Sequence, residues 1–127
     1  MNAPSIPISW GELIDKITIL EIKSDRITSN SALANVHREL ALLSAVAEPV
    51  AANTEIRSLT SNLKAINAAL WDVEDRIREK EKAKAFDHDF VRLARSVLEN
   101  NDARAAIKRQ INDALSSELI EEKSYKR

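Results

Sequence analysis

Residues 56–77 read IRSLTSNLKAINAALWDVEDRI. In this stretch Ile56, Leu59, Leu63, Ile66, Leu70, Val73 and Ile77 recur at alternating steps of three and four. With 3.6 residues per turn, that spacing draws a single apolar stripe along a helix. A stripe of this length needs an equally long apolar partner, so it predicts a helix packed along others in a hairpin or bundle. The helix should start near Asn53 or Thr54 and run through the charged segment REKEKAK to about Ala85.

Toward the amino end, Leu33, Val36, Leu40, Leu43 and Ala47 repeat the alternation and predict a second helix over about 32–46. Pro49 should end it, because proline cannot donate to the helical ladder. Ser29, Asn30 and Ser31 form the break before it, since such residues bond their own backbone. A first helix should span Trp10 to about Thr28. Ser9 and Glu12 open it as a capping box, the hydroxyl accepting from the third amide and the carboxylate reaching back. Pro4 and Pro7 keep residues 1–8 extended. Toward the carboxyl end, AFDHD at 85–89 is a break, with Asp87 as cap of a fourth helix over about 88–99. Asn100, Asn101 and Asp102 read as a turn, with Asp102 capping a fifth helix over about 103–116. Leu119, Ile120 and Tyr125 suggest a tail that docks before fraying. The expected organisation is an extended segment at 1–8, one helical domain at 9–116 and a partly docked tail at 117–127. The expected fold is an all-α bundle of four or five helices, with long antiparallel helices one and three at its centre.

Composition agrees. The 127 residues include one glycine, three prolines and no cysteine, with a net charge of −1. So little glycine disfavours turn-rich sheets. The balanced charge and scarce aromatics argue against nucleic acid and anionic membrane as partners. Without cysteine there is no disulfide or thiolate chemistry, which suits the cytoplasm. MNAPSIPIS has neither the basic start nor the apolar core of a signal peptide, and no apolar run is long enough to span a bilayer.

Helical phase marks out two anomalies. Trp10, Leu13, Ile17, Leu20 and Ile27 form the main stripe of the first helix, with Ile14 at its edge. Ile19 and Ile22 project from the other side, among Glu12, Asp15, Lys16, Lys23 and Arg26. Either a second helix covers them, or they form a subunit interface, for which a symmetric homodimer is the default, or they are simply exposed as scattered surface apolar residues often are. The second anomaly is Arg104, on the apolar side of the fifth helix and in its first turn, where the dipole disfavours a cation. Glu21 is similarly misplaced, which makes the two a candidate buried ion pair, against the commoner alternative that Arg104 snorkels along the core edge into water.

Chemistry is sparse. Glu12 with Asp15, and Asp72 with Asp75, are carboxylate pairs three apart that could hold a hard cation. Both pairs project from the outside of their helices, where solvated surface is the commoner explanation. Asp87, His88 and Asp89 are adjacent and rarely converge as ligands, and a lone His37 is more often packed than catalytic. The anion candidate is a late basic group: Arg92 and Arg95 with the helix start near Asn101 and Asp102, followed by Arg104 and Lys108. No glycine-rich phosphate loop, nucleophile elbow or metal motif occurs, so neither a cofactor nor a catalytic residue is assigned.

Three stretches together suggest a family: SWGELIDKITILEIK at 9–23, LARSVLENNDARAAIKRQIN at 93–112 and EEKSY at 121–125. They resemble a bacterial all-helical domain family of unknown function, found near glycosyltransferase genes. The resemblance implies an accessory role, through a protein partner, in polysaccharide or cell-envelope glycan biosynthesis. The expected function is a non-catalytic interaction or assembly module. The alternative is a binder or enzyme for an anionic metabolite such as a nucleotide sugar. Convergence of Arg92, Arg95, Arg104 and Lys108 on a pocket with Glu12, Asp15 or Glu21 would favour the alternative.

Overall fold

The computed structural model describes residues 1–124, and among them it contains four helices and no strand. These are α1 (Trp10–Arg26), α2 (Asn30–Ala51), α3 (Thr54–Lys82) and α4 (His88–Ala114). Each is begun by a capping side chain that accepts an orphan amide of the first turn. Ser9 Oγ takes Glu12 N–H at 3.1 Å, Ser29 Oγ takes Ala32 N–H at 3.4 Å, Asn53 Oδ1 takes Ile56 N–H at 3.0 Å, and Asp87 Oδ1 takes Phe90 N–H at 2.9 Å. The other half of the expected capping box is not made, because the Glu12 carboxylate points instead at Lys108 and Lys16.

The connections are short and the helices alternate in direction. Gly11 meets Asn112 and Asp15 meets Arg104, so α1 runs antiparallel to α4. Lys80 meets Asp87 near the turn while Leu63 packs with Ile111, so α3 and α4 are antiparallel as well. It follows that α1 and α3 run the same way. Helices α1 and α3, expected to be antiparallel, are therefore parallel, and the long antiparallel pair is α3 with α4, which share the most extensive contact. Ile14, Ile56, Leu63 and Ile111 form the centre of the core, with Trp10, Leu59, Ile107 and Leu115 packed around them.

Helix α1 touches all three other helices. That explains its two apolar sides: Ile22 is buried and Ile19 half-buried inside a single chain, without a second subunit. Helix α2 is the peripheral one. It packs on α1, barely meets α3, and buries only Val36 and Ala47.

The boundaries of α2 and α4 differ from expectation in ways that have a physical reason. Helix α2 starts at Asn30, because Ser29 caps it instead of breaking the chain. It also runs two residues past Pro49, whose ring is compatible with helical φ and forfeits only one ladder bond. Helix α4 passes through Asn100, Asn101 and Asp102 unbroken. Asn100 Nδ2 donates to the Ser96 carbonyl at 2.8 Å, so this side chain bonds inside the helix and does not turn the chain.

Two helices end in Schellman motifs without glycine. Ala85 N–H bonds Lys80 O and Lys84 N–H bonds Glu81 O after α3. Ser117 N–H bonds Asn112 O and Ser116 N–H bonds Asp113 O after α4. The left-handed positions are Lys84 and Ser116, at φ 52° and 50°. Chemical denaturation of Lys84→Gly and Ser116→Gly should each show a gain of about 0.5–1 kcal/mol, as glycine removes the Cβ penalty of that conformation. A loss in both would mean that the helix ends are held differently.

Candidate functional site

The charged residues of α1 and α4 form a ladder. On α4, Arg104, Lys108 and Asn112 are spaced four apart and so share one face. On α1 they meet Asp15, Glu12 and Gly11 in turn. Arg104 Nε donates to Asp15 Oδ1 at 2.9 Å and Nη2 to Oδ2 at 2.5 Å, a fork that matches the carboxylate edge. Lys108 Nζ donates to Glu12 Oε2 at 2.6 Å. Asn112 Oδ1 accepts the Gly11 N–H at 2.7 Å.

Helix α3 joins through Asn67, whose Nδ2 donates to Asp15 Oδ1 and to Thr18 Oγ1, both at 2.9 Å. Thr18 in turn donates to the Asp15 carbonyl at 2.8 Å. Asp15 and Thr18 are both fully buried. Taking a carboxylate out of water is costly, and only complete pairing makes it tolerable. Here pairing is complete: among the described residues no buried side-chain nitrogen or oxygen lacks a partner. Burial pushes the Asp15 carboxyl up. The Arg104 fork, the Asn67 amide and the nearby Lys108 charge outweigh burial and hold it below its ordinary value. Hydrogen bonding to Asp15 in turn raises Arg104.

At Gly11 the backbones of α1 and α4 approach closely. A Cβ there would lie 2.5 Å from the Lys108 carbonyl oxygen and 3.0 Å from Asn112 Oδ1. The neighbouring Trp10 N–H is taken by Ser117 Oγ at 3.3 Å. The start of α1 is thus capped by the end of α4 and the segment after it.

Beside the ladder lies a polar cleft of about 240 Å³, lined by Asn101, Arg104, Ala105, Lys108 and Lys123. A second, apolar groove of about 270 Å³ opens where α2 and α3 diverge, lined by residues that include Ile14, Ile17, Ala47, Val50 and Ile56.

Of the anion candidates, the fold brings Asn101, Arg104 and Lys108 together. It leaves Arg92 paired with Asp89, Arg95 on the exposed surface and Asp102 on an adjoining concavity. The predicted helix start near Asn101 does not exist, because these residues lie inside α4. For the same reason the dipole does not oppose Arg104. The candidate Glu21–Arg104 pair is not formed, and Arg104 does not simply snorkel to water. Glu21 makes a loose 3.8 Å pair with Lys64 near the surface, while Asp15 takes Arg104.

Asp15, placed on the outside by phase, is inside because α1 has neighbours around most of its circumference. The carboxylates considered for a metal are therefore apart and occupied: Asp15 by Arg104, Glu12 by Lys108 and Asp72 by Arg26, with Asp75 exposed. No cluster of three or more carboxylate or histidine side chains suited to a metal ion occurs among the described residues. Asp87 caps α4 and pairs with Lys80, Asp89 pairs with Arg92, and the exposed His37 shares a 3.0 Å bond with Ser24. Leu119 and Ile120 are more than one-third exposed, and Tyr125 lies outside the described residues.

Gly11, Asp15, Asn67 and Asn112 were not expected as a unit. Two signals point to them in hindsight. The chain's one glycine sits in the first turn of a helix, a position that fits a close approach of another backbone. Asn67 also falls beside Ile66 and Leu70 on the stripe that faces the core.

No helix is long and apolar enough to cross a membrane among the described residues. Comparison with curated proteins and with solved structures finds no match. Comparison with protein families finds one, over residues 5–127, which takes in all four helices and the capping of α1 by the segment after α4. The chain belongs to DUF6165, a family of unknown function.

Proposed function

We propose that this chain is a non-catalytic helical assembly module that forms a homodimer through α2. The outward side of α2 carries the reading. Leu42 and Val46, one turn apart, are 60% and 56% exposed. Between Glu39 and Glu48 the helix has no charged residue, so nothing there repels a second copy. A helix apolar around most of its surface normally has neighbours on more than one side, and α2 packs mainly on α1. The buried charges on α1 and α4 support a non-catalytic role, since Asp15 and Arg104 are occupied by one another. The place of action we propose is the cytoplasm. The setting, taken from the resemblance alone, is accessory to a partner protein in bacterial polysaccharide or cell-envelope glycan biosynthesis.

Sedimentation equilibrium tests this. The native chain should dimerise. Leu42→Glu with Val46→Glu should weaken association at least about a hundredfold, because each places a charge in an apolar interface. Because both side chains are exposed in the single chain, helical content should stay unchanged. A native chain that is monomeric at high concentration would sink the proposal, as would a dimer indifferent to both substitutions.

A further inference from the structure

We propose that the apolar groove between α2 and α3 binds a small amphiphilic anion, a medium-chain aliphatic carboxylate, with its tail on α1 and its head at Arg57. This goes beyond assembly through α2 and does not depend on it. By helical phase, Ala47 and Ala51 lie across α2 from Leu42 and Val46, so the groove and the proposed dimer face are separate.

The groove exists because two consecutive helices do not close on one another. Only Ala52 and Asn53 separate α2 from α3, yet the two barely meet. On the α2 side, Ser44, Ala47 and Ala51 recur at steps of three and four and so share a face. Side chains this small do not fill the space up to α3. The floor is Ile17 with Ile14 and Ile56, and the last two belong to the centre of the core. A tail laid here therefore extends the core, and its apolar surface gains by leaving water.

Size sets the tail. An apolar cavity of about 150 Å³ accepts benzene, so a groove of about 270 Å³ takes a somewhat larger body. At the helical rise per residue, the wall from Ser44 to Ala51 runs about 10 Å, which matches an octanoyl chain.

Charge identifies the head. Among the described residues, Arg57 is the one charged residue of the lining, beside the hydroxyls of Thr60 and Ser61. It is exposed, and its side chain makes no ion pair or hydrogen bond with a described residue. Glu48 and Glu55, the acidic residues nearest in sequence, do not pair with it. Arg57 also stands in the first turn of α3, where the helix dipole disfavours a cation. An anion at this point answers both. The guanidinium offers parallel donors that match a carboxylate. One cation neutralises a singly charged head completely, whereas a phosphate monoester would keep excess charge.

NMR titration of the isotopically labelled full chain with octanoate tests the proposal. Amide shifts should move at Ile14, Ile17, Ala47, Ala51 and Arg57 and stay in place at Arg104 and Lys108. Butanoate, the same head on a shorter tail, should bind at least about tenfold more weakly, since each methylene taken from water adds to affinity. Octanol, the same tail without the charge, should bind about threefold more weakly than octanoate, the scale of one exposed ion pair. Arg57→Gln should bring octanoate down to the level of octanol and leave octanol unchanged. Arg95→Gln, exposed on α4 and outside the groove, should change neither. Ser44→Leu with Ala51→Leu, at two exposed positions, fills the groove and should abolish binding of both ligands with helical content unchanged. Leu42→Glu with Val46→Glu should bind octanoate as the native chain does, whatever it does to the dimer. Absence of octanoate binding to the native chain would overturn the proposal. So would shifts scattered over the surface, or equal losses in Arg57→Gln and Arg95→Gln. A groove filled by a second copy would show no octanoate binding and weaker self-association in Ser44→Leu with Ala51→Leu, and that outcome also overturns it.

Discussion

Gly11→Ala is expected to destabilise the fold by about 2–4 kcal/mol, lowering the melting temperature by roughly 10 °C. On helix propensity alone the sign would be the reverse, since alanine is better than glycine inside a helix by about 1 kcal/mol. Packing decides otherwise. The added methyl would stand 2.5 Å from a backbone oxygen of α4, and backbone cannot rotate away as a side-chain tip can. To admit it, α1 must move off α4 at its first turn. That stretches the 2.7 Å bond from Gly11 to Asn112 and disturbs the Glu12–Lys108 pair one residue on. Thermal melts of the variant give the answer. A melting temperature equal to or above that of the native chain would contradict the close approach of these two helices.

Asp15→Ala should cost about 3–5 kcal/mol, the scale of breaking a buried ion pair from one side. The substitution leaves the Arg104 guanidinium without its fork, Asn67 with one acceptor instead of two, and a small void among three helices. Arg104→Met should cost a similar amount, since it strands a fully buried carboxylate. The two losses should not add. In a double-mutant cycle, Asp15→Ala with Arg104→Met should be little worse than either alone, because the second change removes a group already orphaned. Additive losses would show that the residues stabilise the fold independently. Acid titration gives a second reading of the same pair. The folded-state pKa of Asp15 lies below its ordinary 3.8. Its stabilisation is therefore fully present above the unfolded-state value and is lost as pH falls through the lower folded-state value. Stability of the native chain should decline in that window, and Asp15→Asn should remove this part of the decline.

The helices were legible wherever a local signal and a tertiary need agree. Asn53 and Asp87 cap where expected, and the stripe from Ile56 to Ile77 does lie toward the core. Local signals misled where packing overrode them. Asn100, Asn101 and Asp102 are turn formers, yet α4 continues through them because it has α3 to pack along for its whole length. The site was legible in kind but not in detail. A misplaced Arg104 demands a carboxylate, but phase calculated for a one-sided helix points to Glu21. Helix α1 is nearly surrounded, so the position that matters is Asp15, on what a one-sided reading calls the outside. No pattern in the residues of α1 alone reveals how many neighbours it has.

The capping of α1 by Ser117 and Asn112 has a consequence for how the protein is made. Synthesis proceeds from the amino end, so residues 10 and 11 emerge about a hundred positions before the groups that accept their amides. Until those groups arrive, the first turn of α1 must hold its amides against water, and Asp15 has no Arg104 to face. Helices α1 and α2 can pack on one another early, but the first turn of α1 and its Asp15 must wait for α4. The first helix in the chain is thus the last to be completed, and a ribosome that stalls before Arg104 leaves it carrying an unpaired carboxylate on a surface meant for the interior.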